Sequence, residues 1–282
     1  MLHFISIPVR LVWRRWFYGL MSVVVALGIV VGTPQAGQAI SWVDLILRGI
    51  QVIQLSSLSD SQEVSLGEQI NEQLVNSEFQ LYNNRDVREY VDEVGQRLVP
   101  DSTRPDIPYV FQVVRDDSVN AFATMGGYVY VTTGLLKAAD NEAELAGVLG
   151  HEIGHIAARH SVKQMRELAI AQGIATAAGL DTNTAVAIGV ELALRRPHSR
   201  EAEFEADQLG LENMRQSGYA PVAMVTFMEK LLGGGSIPAF LSTHPATSDR
   251  IEALNTMIDV DTASAGEGLN ESNYRSRISA LL

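Results

Sequence analysis

The segment HEIGHIAARH (151–160) contains three of the six histidines of the chain, and two of them bracket a glutamate in a His-Glu-x-x-His pattern. Two neutral imidazoles one helical turn apart can hold a divalent metal ion, and a glutamate beside them can accept a proton from a water molecule that the ion has made acidic. The pattern predicts His151 and His155 as ligands of Zn²⁺, one ion per chain, and Glu152 as general base. The alternative is a solvated helix face with two histidines, because so short a pattern also arises by chance.

Helical phase and neighbouring small residues favour the metal site. Successive helical residues turn by about 100°, which puts His151 and His155 on one face. Apolar residues gather on the opposite side, namely Leu145, Leu149, Ile153 and Ile156. Small residues beside the histidines would let a second helix approach and supply a ligand, and these residues are Gly147, Gly154 and Ala158.

The third ligand is expected from the acidic segment SREAEFEADQLG (199–210). His160 is a poor candidate, because a continuous helix would turn it to the face opposite His151, where a capping or core histidine is expected. Glu203 and Asp207 are four residues apart and share a helical face, whereas Glu201 and Glu205 point roughly the other way. Glu203 can then bind the metal while Asp207 accepts a hydrogen bond from a ligand histidine. Taken alone, an acidic helix is more typical of a solvated surface.

Together these segments resemble the gluzincin metallopeptidases that include HtpX and the CAAX prenyl endopeptidases, and most of all the exported single-domain members of the Oma type. NAFATMGGYVYVTTGLL (120–136) and STHPATSDRI (242–251) also match that family pattern, so the resemblance covers about residues 60 to 258. It implies that His151, His155 and Glu203 are zinc ligands, that Glu152 is the base and that Asp207 orients a ligand.

The same resemblance singles out His244 and Arg250, since a His-Pro followed by an arginine recurs at the active-site rim of such enzymes. Two roles are open for His244. It could donate a hydrogen bond to the oxyanion of the reacting carbonyl, or it could occupy the open metal position and keep the enzyme latent. We favour the second role, because an exported protease among folded neighbours benefits from an inactive state.

Sequence periodicity predicts the elements that position these residues. YVFQVV (109–114) and YVYVT (128–132) alternate like strands, with a short strand and a Gly-Gly turn between them. Asp60 with Glu63, and Asn141 with Glu144, have the spacing of capping boxes that begin helices. Further helices are expected over 86–99, 165–194 (buried helices or a helical hairpin), 199–218 and 221–233. The expected fold is α+β: a mostly helical zincin-type domain with a small β-sheet and the His-Glu-x-x-His motif on a buried helix.

Composition restricts compartment and partners. The chain has no cysteine, so a metal must be held by His, Asp or Glu, and its net charge of −12 argues against a nucleic-acid partner. Residues 1–39 have a basic start, an apolar run and small residues at a cleavage position, which indicates a signal peptide or an uncleaved membrane anchor. Residues 40–59 are expected to form an amphipathic lead-in, 60–260 the metallopeptidase domain and 261–282 a loose polar tail.

The resulting hypothesis is an exported zinc endopeptidase, periplasmic or in an equivalent compartment, either free or anchored to a membrane. It would cleave misfolded or membrane-associated envelope proteins, bound as an extended strand near Asn120–Thr124, and a membrane surface is a further possible partner. Two alternatives remain at this stage: a non-catalytic, metal-stabilised chaperone or binding module for envelope proteins, and a structural protein of the membrane surface.

Overall fold

The computed structural model describes residues 52–53, 55, 57–173, 180–233, 238–245 and 247–282. The expected signal peptide or anchor and most of the lead-in segment lie outside these residues. The helices are α1 (Asp60–Ser77), α2 (Arg85–Leu98), α3 (Thr133–Ala138), α4 (Glu142–Ala157), α5 (His160–Ala171), α6 (Thr182–Arg195), α7 (Arg200–Gln216), α8 (Val222–Gly233), α9 (Ala239–Thr243), α10 (Thr247–Met257) and α11 (Glu271–Arg277). The strands are β1 (Val52–Ile53), β2 (Val110–Val114), β3 (Ala121–Ala123), β4 (Tyr128–Thr132) and β5 (Leu180–Asp181). The predicted helix-rich α+β class is confirmed.

The main sheet has the strand order β2-β4-β3. Strand β2 runs parallel to β4, with Val110 opposite Tyr128, and β3 runs antiparallel to β4, with Ala121 opposite Val131. Strand β3 therefore forms one edge of this sheet. The remaining strands, β1 and β5, pair with each other in a separate antiparallel ladder.

The turn between β3 and β4 needs its glycines. Gly126 and Gly127 have φ of +79° and +100°, a region that side chains with a Cβ atom rarely adopt. A Cβ atom at Gly127 would also lie 2.5 Å from the carbonyl oxygen of Pro108. The predicted Gly-Gly turn therefore brings the two strands together at a point where no bulkier residue fits.

Helix α4 lies inside the domain. The four apolar residues expected on one side of it are buried, and its histidines and Glu152 are buried as well. An apolar cluster from α2, α4, α8 and the sheet surrounds it, and a second cluster joins α1, α5 and α6. The prediction that the motif lies on a buried helix is confirmed. No helix in the described part of the chain is both long enough and apolar enough to cross a membrane.

The start of α1 differs from the prediction by one residue. Ser59 is the N-cap, its side chain accepts a hydrogen bond from the Gln62 backbone N–H, and Gln62 Oε1 accepts one from the Ser59 N–H at 3.0 Å. The predicted pair, Asp60 with Glu63, is not the capping box. Glu63 is instead buried and forms an ion pair with Arg104 at 2.9 Å, so a tertiary contact takes this carboxylate away from the helix end.

The C-terminal segment is not loose, and that prediction is wrong. Helix α11 places Tyr274 in the main apolar cluster, and Ile278 directly after the helix lies there as well; both are fully buried. The Tyr274 hydroxyl donates a hydrogen bond to the Leu136 carbonyl at 2.7 Å. The Gly268 carbonyl accepts one from the Ala143 N–H in the first turn of α4 at 3.0 Å. A few apolar residues in a polar stretch are enough to attach the segment to the domain.

Candidate metal centre

Helix α4 supplies His151 and His155, both buried, with their Nε2 atoms 3.0 Å apart. The helix begins where the Asn141 side chain accepts a hydrogen bond from the Glu144 N–H at 3.0 Å. Only this half of the predicted capping box forms, since the Glu144 carboxylate accepts from the Asp140 N–H at 2.9 Å instead.

Glycines bring helix α7 close enough to α4 to reach the histidines. A Cβ atom at Gly154 would lie 2.7 Å from the carbonyl oxygen of Ala206, and one at Gly210 would lie 2.7 Å from the backbone nitrogen of His151. The expected close approach of a second helix is therefore present at Gly154. Gly147 instead faces α8, where its Cβ would meet Met224.

Helix α7 delivers Glu203 to the same point. One carboxylate oxygen lies 3.4 Å from His151 Nε2 and the other lies 3.4 Å from His155 Nε2. Glu203 is fully buried, whereas Glu201 and Glu205 are exposed on the other side of the helix. The helical spacing thus selects Glu203 from the three glutamates at the start of α7.

His244, which follows α9, lies inside the cluster and is 1% exposed. Its Nδ1 is 3.2 Å from His151 Nε2 and 3.1 Å from Glu203 Oε1. Its Nε2 is 3.4 Å from both Glu152 Oε1 and the Ala121 carbonyl oxygen of the edge strand. The structure brings His244 together with the three predicted zinc ligands, although it lies at least 41 positions from them in the sequence.

Asp207 and Arg250 lie behind the cluster. Asp207 Oδ1 is 2.9 Å from His151 Nδ1, so the imidazole N–H donates to it. Arg250 donates to both oxygens of Asp207, at 2.6 and 2.7 Å, and forms an ion pair with Glu203 at 2.6 Å. Arg250 is fully buried. The expectation that Arg250 lies at the rim is therefore wrong, because its guanidinium is enclosed between two carboxylates.

His160 also differs from the sequence-based expectation. Helix α4 ends at Ala157, and Arg159 adopts a left-handed conformation with φ of 58°. The chain therefore turns before α5, and His160 is not carried to the opposite face. Its Nδ1 lies 2.9 Å from Nδ1 of His155. The prediction of a buried histidine holds, but the predicted direction is wrong.

His198 is a neighbour of the site that the sequence reasoning missed. Its ring stacks on that of His155, with centroids 4.0 Å apart and planes 21° apart. Burial and the nearby imidazoles lower the pKa of His198 to about 3, so it is neutral near neutral pH. A signal existed in the sequence, because His198 directly precedes Ser199, the N-cap of the helix that carries Glu203.

Glu152 has no hydrogen-bond partner for either carboxylate oxygen among the described residues, although it is fully buried. Burial raises the pKa of this carboxyl, while the adjacent His244 and His151 oppose the rise. A buried carboxylate that costs free energy in this way is typical of a group held ready to accept a proton.

The other carboxylate of the cluster behaves differently. Burial raises the pKa of Glu203, but His244, His151 and His155 outweigh that effect and hold the pKa well below its usual value. Burial and His198 lower the pKa of His155. Burial and Arg250 lower the pKa of His151, yet hydrogen bonds to Asp207 and Glu203 raise it to about 9. The ionised Glu203 therefore attracts positive charge to the cluster, as a divalent cation would supply.

Donor spacing fits a zinc ion. Bonds of about 2.0–2.1 Å in tetrahedral geometry separate neighbouring donor atoms by roughly 3.3–3.4 Å. The pairs among His151, His155, Glu203 and His244 given above lie 3.0 to 3.4 Å apart. These four residues are the group in the described part of the chain that could hold a metal ion. Nitrogen and oxygen donors of this kind suit zinc.

Comparison with known proteins identifies the family. The sequence matches the family model described as "Peptidase family M48" over residues 86–258, which span every predicted site residue. The chain belongs to peptidase family M48. Among M48 relatives, it is 32% identical over 213 residues to "Beta-barrel assembly-enhancing protease" of Escherichia coli (strain K12), covering 70% of this chain and 44% of the relative.

Two further M48 relatives carry protease names. "Mitochondrial metalloendopeptidase OMA1" of Schizosaccharomyces pombe is 35% identical over 172 residues, which is 58% of this chain and 51% of the relative. "Metalloprotease LoiP" of Escherichia coli (strain K12) is 28% identical over 228 residues, 77% of this chain and 88% of the relative. The chain thus spans about half the length of the first two relatives. M48 metallopeptidases use zinc, so both the predicted family resemblance and the predicted cofactor are confirmed.

Proposed function

We propose that this chain is a zinc-dependent endopeptidase in which His151, His155 and Glu203 hold the ion. The observation that supports it most is the position of Glu152, whose carboxylate accepts no hydrogen bond from the described residues and lies next to a buried group of four donor residues. When bound, zinc supplies Lewis acidity that polarises the scissile carbonyl and lowers the pKa of a water molecule. Glu152 accepts the proton from that water and then returns it to the leaving amine.

Asp207 and Arg250 act as positioning residues in this proposal. Asp207 accepts the N–H of His151 Nδ1, which leaves the lone pair of Nε2 directed at the cluster. Arg250 holds both Asp207 and Glu203 through its three short contacts. Neither residue needs to touch the substrate for the reaction to depend on it.

The substrate is a polypeptide that lies extended along β3, beside Asn120–Thr124. Asn120 and Thr124 form main-chain hydrogen bonds with β4, so by the alternation of an antiparallel ladder the main-chain groups of Ala121 and Ala123 face away from β4. The contact of 3.4 Å between the Ala121 carbonyl and His244 Nε2 agrees with that orientation. Strand addition there would bring a peptide bond beside Glu152 without requiring a particular sequence.

A narrow cleft next to this edge favours an apolar substrate side chain. The cleft runs between β3, α1 and α6 and reaches His198 and His244. Its apolar wall consists of Ile70, Phe122, Ala123, Met125, Leu192 and Ala193. Burial of one apolar side chain contributes about 1.5–3 kcal/mol, enough to select among substrates while main-chain bonds supply general affinity.

His244 holds the enzyme latent. Its Nδ1 contacts Glu203 Oε1 and His151 Nε2 at distances typical of a fourth donor, and a residue in that position excludes a substrate carbonyl. An arriving peptide would displace it. The alternative role, donation to the oxyanion, is supported by the proximity of His244 Nε2 to the edge strand; the two roles predict opposite effects of removing the imidazole.

The compartment and the natural substrates are also part of the proposal. The basic and apolar start of the chain is typical of export, and one relative is named for β-barrel assembly. We infer that the protein works outside the cytoplasm on misfolded or membrane-associated envelope proteins. Separation of cell fractions, followed by comparison of envelope proteomes with and without the protein, tests this part by itself.

Purified protein tests the enzymatic proposal. Wild type and Glu152→Gln should both bind about one zinc per chain, and Glu152→Gln should cleave casein at least about 100-fold more slowly, because the substitution removes a base and no ligand. If wild type and His244→Ala both held zinc without cleaving casein, the metal-stabilised binding module would be favoured instead, because the latch proposed for His244 could by itself keep the wild type inactive. A Glu152→Gln variant with the wild-type rate would refute the assignment of the base.

A further inference from the structure

His155 has a second, unassigned partner on the side away from the metal cluster. Because Arg159 is left-handed, His160 folds back against α4 and places its Nδ1 2.9 Å from Nδ1 of His155. Both rings are buried, with 1% and 4% exposure. His155 Nε2 remains directed at His151 and Glu203, so the two nitrogens of His155 have separate functions.

Glu205 determines which of the two rings donates the hydrogen bond between them. His160 Nε2 is 3.1 Å from Glu205 Oε2, and an ionised carboxylate can only accept a hydrogen bond. His160 Nε2 must therefore carry the hydrogen and donate it, which leaves a lone pair on His160 Nδ1 in the neutral ring. That lone pair accepts the N–H of His155 Nδ1. The lone pair of His155 Nε2 then faces the cluster, as a metal ligand requires.

Each histidine of the motif thus donates its Nδ1–H to an acceptor that fixes its tautomer, but the two acceptors differ. His151 donates directly to Asp207, which Arg250 holds in the interior. His155 donates to His160, whose carboxylate partner Glu205 is 52% exposed. The first arrangement is enclosed and rigid, whereas the second reaches the surface of α7 through one imidazole.

We propose that His160 is a positioning residue that fixes the tautomer and ring orientation of His155, with Glu205 as its anchor. The inference deepens the proposed function, since it rests on His155 as a zinc ligand. It also gives a role to the acidic residue on the face of α7 that points away from the metal. Outer partners of ligand histidines typically change metal affinity by about 10- to 100-fold when they are lost.

The test measures zinc affinity of the full chain by competition with a chromogenic chelator. His160→Leu removes the acceptor and should weaken zinc binding by about 10- to 100-fold. His160→Asn places an amide oxygen near the position of Nδ1 and should keep affinity within about threefold of wild type. A purely structural role predicts that both substitutions weaken zinc binding alike, and this result, or unchanged affinity in His160→Leu, would overturn the proposal.

Substitutions on α7 keep the test decisive if a His160 variant does not fold. Glu205→Ala, at an exposed position, should weaken zinc binding by about three- to tenfold, while Glu201→Ala on the same helix should leave it unchanged. Equal affinities in these two variants would contradict the role of Glu205 and with it the proposal. Casein cleavage is recorded separately, so an inactive protein with these zinc affinities would refute the proposed function and leave the positioning role intact.

Discussion

Replacement of Arg250 by methionine should reveal how much the enclosed ion-pair network stabilises the domain. Arg250 donates to Asp207 Oδ1 and Oδ2 at 2.7 and 2.6 Å and contacts Glu203 Oε2 at 2.6 Å. All three residues are at most 2% exposed. Methionine keeps much of the side-chain volume but removes the arginine charge that contacts both carboxylates, which leaves His151 as their remaining common neighbour.

The expected loss of stability in Arg250→Met follows from the burial of the three side chains. Removal of one partner from a buried ion pair costs about 3–5 kcal/mol, because the remaining charge loses its partner without regaining water. For a domain of this size that corresponds to a decrease in Tm of roughly 6–20 °C. The loss should be largest without metal and smaller with zinc, since the ion compensates Glu203 but does not touch Asp207.

Urea unfolding of the metal-free and zinc-loaded proteins measures the loss in free energy of unfolding without and with zinc. Arg200→Met is the matched control, because Arg200 forms its ion pair with Asp249 at 2.5 Å between side chains that are 59% and 49% exposed. An exposed pair of this kind contributes about 0–1 kcal/mol. If Arg250→Met destabilised the metal-free protein by no more than Arg200→Met, the inference of an enclosed, charge-dependent network would be refuted.

Three further substitutions test the site. Glu203→Ala should abolish stoichiometric zinc binding while Glu201→Ala retains it, as metal analysis would show; equal zinc contents would refute the ligand assignment. His244→Ala should raise basal casein cleavage if the residue is a latch, or lower kcat by about 10²–10³ if it donates to the oxyanion, and an unchanged rate would exclude both roles. Gly154→Ala places a Cβ atom 2.7 Å from a carbonyl oxygen of α7, so it should destabilise the protein by about 1–3 kcal/mol and weaken zinc binding. Gly233→Ala, where a Cβ would meet no described atom within 4 Å, is the control, and equal effects would contradict the close helix approach.

The sequence predicts the part of the site that depends on position along one helix. His151 and His155 share a face of α4, and Glu203 and Asp207 share a face of α7, because 3.6 residues complete each turn. The requirement for a second helix could also be read from Gly154, since glycine in a helix interior usually has a packing reason. For these residues, spacing within one helix is enough to predict their relative position in space.

Contacts between distant segments could not be predicted in this way. The left-handed Arg159 reverses the direction of His160, and nothing in HEIGHIAARH predicts that the helix ends at Ala157. Arg250 is assigned to the rim by resemblance, yet it lies in the interior because two carboxylates from α7 meet it there.

The start of α1 and the C-terminal segment show the same limit. Glu63 has the spacing of a capping residue, but its pairing with Arg104 is the contact that forms. Tyr274 lies in a polar stretch, and it is buried because α11 reaches the core beside Leu136. A cap contributes about 1 kcal/mol, less than the roughly 3–5 kcal/mol that is lost when one partner of a buried ion pair or a buried aromatic side chain is removed. Local sequence patterns therefore determined the metal-binding faces of the two helices. Tertiary packing decided which residues from distant segments contact the side chains around them.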